Sequence, residues 1–382
     1  MTGAAGGKEE RYRAALAGAE RFLNAWHGTP LVRERLEALA LAAEEGERGD
    51  RYGEGERLER LEGRVAELLG TEAAVFMPSG TMAQQIAMRI WSERQGSRTI
   101  AFHPTCHLEL HEEKGYERLH GLHGALVGDP NRVLTLADLE TLREPVAALL
   151  LELPQREIGG LLPDWDDLVA QTGWARDHEV ALHLDGARLW EAQPYYDRPH
   201  AELAGLFDSV YVSFYKGLGG MAGAALAGDE DLVSEARVWQ RRHGGNLVTT
   251  FPYVIAAETA LDERLERMPA YLEHARALAA ALAAVDGVEI VPDPPQTPLF
   301  HLHLDGERAA LVDAALSVAE ERKVFLFADP SSTGSPRRQR HEVMVGEVTL
   351  ALEPAEVAEL YTEVLARATA PRRARRRATK RS

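Results

Sequence analysis

The sequence predicts an α/β protein: a large domain on a mostly parallel sheet, then a smaller α+β C-terminal domain. Three observations predict it. Short apolar runs at 73–77, 99–102, 147–153, 180–184, 208–215 and 222–227 alternate with helical patterns, as parallel strands joined by crossover helices do. Two of these runs end on reactive residues, one at Asp185 and one before Lys216, and open α/β sheets bind ligands at the carboxyl ends of their strands. From Phe251 a long helical stretch runs to about Ala284, with a joint near Met268-Pro269. Beyond it lie short strands at 288–291, 299–304, 324–327 and 342–350 and helices at about 309–322 and 354–368.

In chain order, residues 1–50 carry Ala, Glu, Arg and Leu at helical spacing, broken at His27-Gly28-Thr29-Pro30, and form an N-terminal arm of two helices. The large domain spans 51–255, the small domain 256–370 and a basic tail 371–382. The helix 56–69 places Leu58, Leu61, Val65 and Leu68 on one stripe, and Gly70 closes it. Strand 73–77, the turn Pro78-Ser79-Gly80-Thr81 and helix 82–91 put Ser79, Gly80 and Thr81 at a helix N-terminus. Its free N–H groups and positive dipole end suit a phosphate; an N-cap without ligand fits the same residues. His103, His107 and His111, spaced by four, suit one helix face and a metal, or ordinary hydrogen-bonded histidines; neither HExxH nor CxxC accompanies them. The helix 229–242 ends in Arg241 and Arg242. These either reach a cofactor phosphate, within the subunit or across a dimer interface, or simply favour a helix C-terminus. His301 and His303 alternate with leucines and read as structural.

The formal charge of −17 over 382 residues gives no reason to expect nucleic acid or an anionic membrane as partner. No apolar run is long enough to span a bilayer and no secretory h-region is visible. With one cysteine, Cys106, no internal disulfide forms, and a cytoplasmic setting is expected. The tail holds seven Lys or Arg and reads as solvated and disordered.

The pair Asp185 and Lys216 suits pyridoxal phosphate. That cofactor needs a lysine amine to carry its aldehyde and an acid to keep its pyridine nitrogen protonated. Apolar and glycine neighbours desolvate Lys216 and favour its neutral, nucleophilic amine. Metal is not expected in the site.

The stretch His183-Leu184-Asp185-Gly186-Ala187-Arg188, with Lys216-Gly217-Leu218-Gly219, resembles the threonine aldolase and β-eliminating lyase family. So do residues 61–82 (LEGRVAELLGTEAAVFMPSGTM) and Glu152 followed by Gly159-Gly160. The resemblance covers roughly residues 50 to 260. It implies the aspartate-aminotransferase-like fold (fold type I), pyridoxal 5'-phosphate, a homodimer or homotetramer, and cleavage of the Cα–Cβ bond of a β-hydroxy-α-amino acid to glycine and an aldehyde. It implies that His107 stacks on the cofactor ring and that Arg188 contacts the substrate carboxylate or the cofactor's phenolate oxygen. It implies that Ser213 borders the cofactor and that Tyr52-Gly53 points toward the neighbouring subunit's site; Glu152 either hydrogen-bonds the cofactor side, orients a neighbour or is a satisfied structural carboxylate.

The chain departs from the family pattern in places. The usual N-terminal Ser-Asp-Thr is missing, and Tyr215 stands where serine is common. Val343-Met344-Val345-Gly346-Glu347 replaces the region of a carboxylate-binding arginine, the nearest arginines being Arg337, Arg338 and Arg340. His111 and His123 are both candidates for the family's second active-site histidine. A β-eliminating or transaldol reaction on another β-substituted amino acid, and a catalytically silent binding protein on the same fold, are the alternative readings.

Overall fold

The apolar runs between residues 73 and 228 pair into one seven-stranded sheet in a computed structural model of the chain, which describes residues 3–327 and 329–369. The spatial order is Ala73–Met77, Ala224–Gly228, Ser209–Ser213, Ala181–Gly186, Ala148–Glu152, Thr99–Phe102 and His123–Leu126. The last five of these run parallel, while Ala224–Gly228 is antiparallel to both its neighbours. Ala181–Gly186 and Ser209–Ser213 are buried along their whole length, as near-continuous apolar strands covered on both faces must be. The edge strand His123–Leu126 has only Ala125 buried, which is why its short, half-polar sequence gives no strand signal.

The helix Gly80–Gln95 packs on the central strands, Trp165–Asp177 on the Asp185 strand, and Glu230–Arg242 on the antiparallel side. The helix Glu56–Leu69 buries Leu58, Leu61, Val65 and, in place of the expected Leu68, Leu69. The apolar stripe drifts by one position over the last turn, as 3.6-residue geometry allows.

By compactness the chain divides into two units: Pro30–Met268, and the residues up to Thr29 together with those from Pro269 onward. This corrects the expected boundaries at 50 and 255. The first helix, Gly3–Gly18, groups with the C-terminal unit. There Tyr12, Ala15, Leu16 and Phe22 pack with Leu316, Ala319 and Phe325, and Arg21–Phe22 pairs in parallel with Val324–Phe325. The second helix, Val32–Ala42, belongs to the large unit, and position 255 falls inside the helix Phe251–Arg264.

The C-terminal unit holds an antiparallel sheet in the order Ser331–Ser332, Arg338–Met344, Leu299–Asp305, Val288–Val291. The strand expected at 342–350 starts earlier and stops at Met344. A 3₁₀ turn, Thr349–Ala351, follows, with the Thr349 N–H donating to the Gly346 carbonyl; the apolar residues of 345–350 supply burial without a strand. The basic tail lies outside the described residues.

Candidate active site

Three neighbouring strands deliver the chemistry. Glu152 and Asp185 are register partners on adjacent strands, and Asp185 pairs with Tyr211 on the next. The Ser209–Ser213 strand then turns, and the Lys216 N–H donates to Ser213 Oγ (3.3 Å). Asp185 is 2 % exposed, and its Oδ1 accepts the Ala187 N–H (3.1 Å). Burial pushes the Lys216 amine below its ordinary value. Asp185 and Glu152 oppose that shift, while Arg188 and Arg156 reinforce it. The lysine is therefore biased toward the neutral amine.

Burial, then repulsion from Asp185, raises Glu152 to about 7. Its two oxygens brace two loops: Oε2 accepts the His107 N–H (3.3 Å) and Oε1 the Arg156 N–H (3.3 Å). His107 opens a one-turn helix after the Thr99–Phe102 strand. Burial alone disfavours charge on its ring, but the hydrogen bond to Glu112 and the charge of Asp185 outweigh it and hold the imidazole above its ordinary value. His107 Nδ1 lies 3.0 Å from Glu112 Oε1, and Gln85 Nε2 donates to Glu112 Oε2 (3.1 Å).

Arg188 is buried and bound by Glu191, with Nη1 at 2.9 and 3.2 Å from the two carboxylate oxygens. Glu191 in turn lies against Gly217: a Cβ there would come within 2.4 Å of Glu191 Oε1. Only glycine lets the chain after Lys216 pass this ion pair.

Ser79 caps the helix Gly80–Gln95, its Oγ accepting the Met82 N–H (3.3 Å). Ser79 and Thr81 are exposed and Gly80 is buried. A Cβ on Gly80 would sit 1.9 Å from the Tyr211 hydroxyl, so the helix N-terminus lies directly over the strand that leads to Lys216. The Arg242 guanidinium sits 4.5 Å from the Trp239 ring centroid. The turn that follows it borders the same helix N-terminus, with Gly245 against Met82.

The structure thus brings together Lys216, Asp185, Glu152, His107, Ser213 and Arg188, with Ser79, Gly80 and Thr81 on an adjoining turn, and leaves Arg242 stacked on tryptophan. His183 of the same motif is structural. It is buried between Gln84 Oε1 and Ser209 Oγ (both 2.8 Å), and desolvation lowers it to about 3. His103 bonds Thr105 Oγ1 through one ring nitrogen and the Asp129 and Arg132 carbonyls through the other. His123 begins an edge strand at the amino end of the sheet, away from the carboxyl ends that carry Asp185 and Lys216. His111 stands beside His107, with ring centroids 5.2 Å apart.

The sequence reading missed Glu112, Gln85, Glu191, Arg156 and Glu157. Glu112 and Gln85 act through other side chains across loops and carry no spacing signal, whereas Glu191 stands three residues after Arg188, an i,i+3 ion-pair spacing. Arg156 and Glu157 follow the strand ending at Glu152, a position that marks ligand-facing residues in such sheets.

The donor set fits pyridoxal phosphate: a lysine biased toward neutrality, a buried anionic partner for a ring nitrogen, an imidazole beside them and a helix N-terminus for a phosphate. Comparison with known proteins agrees. The chain is 40% identical to a solved Exiguobacterium protein assigned provisionally as an aromatic amino acid β-eliminating lyase/threonine aldolase (94% of this chain, 99% of that one, TM-score 0.88). It is 38% identical to a Listeria monocytogenes protein assigned provisionally as an L-allo-threonine aldolase (94% and 99%, TM-score 0.87). It is 27% identical to low-specificity L-threonine aldolase 1 of Arabidopsis thaliana, over 72% of this chain and 79% of that one. The family model for β-eliminating lyases matches residues 27–308. The chain belongs to the β-eliminating lyase family.

Proposed function

We propose that this chain is a pyridoxal-phosphate lyase that cleaves the Cα–Cβ bond of a β-hydroxy-α-amino acid, releasing glycine and an aldehyde. The observation that carries the reading is the meeting of Asp185, Lys216 and carboxylate-held His107 at the carboxyl edge of one parallel sheet. The cofactor, when bound, supplies an electron-withdrawing ring that stabilises negative charge at the substrate Cα.

The residues divide the remaining work. Lys216 would supply the amine that holds the cofactor. Asp185, fixed by the Ala187 N–H, holds a proton on the pyridine nitrogen by charge pairing. The N–H groups at Ser79, Gly80 and Thr81 receive the phosphate. Glu112 orients His107, which would stack on the cofactor ring, and Glu191 holds Arg188 in one conformation. For the substrate carboxylate, Arg156 joins Arg188, Arg337, Arg338 and Arg340 as a candidate. Its charge reaching Lys216 favours it, whereas Arg338 is engaged with Asp305 and Glu289. A planar guanidinium binds a carboxylate bidentately, which lysine cannot do.

A homodimer or dimer of dimers belongs to this reading. The helix Val32–Ala42 has no buried residue, and Leu31, Val32, Leu36 and Leu41 are 68, 76, 57 and 88 % exposed. A helix that buries none of its own residues and exposes these apolar side chains is normally covered by a partner. Tyr52, 51 % exposed with φ 51°, is the residue expected to reach the neighbour's cofactor. No helix among the described residues is long and apolar enough to cross a membrane. We place the protein in the cytoplasm, where a buried free thiol such as Cys106 stays reduced.

Product analysis on purified holo-protein tests the reading. Glycine plus an aldehyde from a β-hydroxy-α-amino acid supports it; a keto acid plus ammonia from a β-substituted amino acid would replace it with β-elimination.

A further inference from the structure

We propose that Tyr215 donates its phenolic proton to the cofactor phosphate at the N-terminus of the helix Gly80–Gln95, and that Tyr211 aims it there. The contact concerns how the cofactor is held and does not depend on which substrate bond is cleaved. Tyr211 is the register partner of Asp185 and is 3 % exposed. Its hydroxyl reaches the first residue of the helix: a Cβ on Gly80 would come within 1.9 Å of the oxygen and 2.4 Å of the ring carbon that bears it. Tyr215 stands four residues further on, past the strand end, and its hydroxyl is hydrogen-bonded to that of Tyr211. The bond raises Tyr211 and lowers Tyr215, so Tyr211 is the donor and Tyr215 the acceptor. A phenol has one proton to give. With the Tyr211 proton directed to Tyr215, the Tyr215 proton points to a further acceptor. Two hydroxyls in series thus lead from Gly80 to a donor in the crevice.

Tyr215 is 37 % exposed, so it is the member of the pair that a ligand can touch. Burial of the rest of the ring, with Asp185 and Glu112, holds its phenol above the ordinary value, against the Tyr211 bond and Arg188. The phenol therefore keeps its proton at neutral pH. The two carboxylates it feels are already engaged, Glu112 by His107 and Gln85 and Asp185 by the Ala187 N–H. A phosphate brings several anionic oxygens, and hydrogen bonds to such oxygens are stronger than neutral ones. The N–H groups at Ser79, Gly80 and Thr81 would meet it along the helix axis. Tyr215 would meet it from the side, one hydrogen bond away from the hydroxyl that touches Gly80.

The test titrates apo-protein with pyridoxal phosphate and, separately, with pyridoxal, which has the same ring and aldehyde but no phosphate. Binding is followed by absorbance in the parent, Tyr215→Phe, Tyr211→Phe and the double variant. Tyr215→Phe is expected to raise the Kd for pyridoxal phosphate by about tenfold or more, as the loss of one hydrogen bond to a charged group does. Its Kd for pyridoxal should stay within about twofold of the parent. Tyr211→Phe is expected to raise the Kd for pyridoxal phosphate by about threefold. The double variant should bind no more weakly than Tyr215→Phe alone, because Tyr211 acts through Tyr215. An unchanged Kd for pyridoxal phosphate in Tyr215→Phe, or an equal loss for both ligands, overturns the phosphate contact. Losses that simply add in the double variant overturn the aiming role of Tyr211. A failure of the lyase reading in product analysis leaves these titrations unchanged, so the two can fail separately.

Discussion

Histidines and acids crowd two sheets of this protein and do different things in each. In the C-terminal unit they lie in mid-strand. His301 sits opposite Glu342, His303 lies 3.5 Å from Glu289, and His341 is packed against Phe327 with ring centroids 5.0 Å apart. Burial lowers His341 to about 3, so it is a neutral core residue. In the large unit the reactive groups lie at or just past strand ends, at Glu152, Asp185, His107 and Lys216. There the chain turns, and side chains from several strands converge on one crevice. Residue type is shared between the two regions; position along the strand separates packing from chemistry.

The sharpest way to break the comparison is at the strand ends. Lys216→Ala should abolish turnover while leaving the fold intact, as the retained thermal transition will show. Asp185→Asn keeps the shape but loses the charge pairing, and should cost on the order of 10²–10³-fold in kcat; near-normal turnover would give the carboxylate another role. Arg156→Lys should raise KM for the amino acid by about tenfold, the loss of one bidentate carboxylate contact of about 1.5 kcal/mol. The same change at Arg337, Arg338 or Arg340 should do little.

Linkage to pH sharpens it further. The carboxyl of Glu152 is raised to about 7 in the folded protein against 4.5 in the open chain. The native state therefore binds more protons than the unfolded state between those values. Apo-protein stability should fall as pH rises from about 4.5 to 7, by at most on the order of 3 kcal/mol from this group. Glu152→Gln should flatten that slope in urea titrations at several pH values. His341 has the opposite sign: its folded value lies below the unfolded one, so it costs stability as pH falls from about 6.5 toward 3. His341→Phe should soften acid unfolding and, as the smallest effect of the set, leave kcat at pH 8 unchanged.

Much of this was legible in the sequence. Asp185 and Lys216 could be placed because each closes an apolar run, and the Ser79 turn because strand, turn and helix follow one another. What stayed hidden depends on groups brought together by the fold. Glu112 reaches His107 across a loop, Glu191 supports Arg188 beside Gly217, and Glu157 meets His111 from a different strand. The His107–Glu112 and His111–Glu157 pairs have no fixed spacing that periodicity could reveal, whereas Arg188 and Glu191 are i,i+3 neighbours at a helix start. The division into units was misread for a related reason. The first helix packs with residues some 300 positions later, around Leu316 and Phe325, and helical patterning carries no information about so distant a partner.

The measurement closest to the central claim is borohydride reduction of the purified holo-protein followed by peptide mapping. Pyridoxal phosphate fixed to Lys216 alone is the predicted result. Label on any other lysine, or none on a protein that still turns over substrate, would contradict the assignment of this sheet edge as the active site.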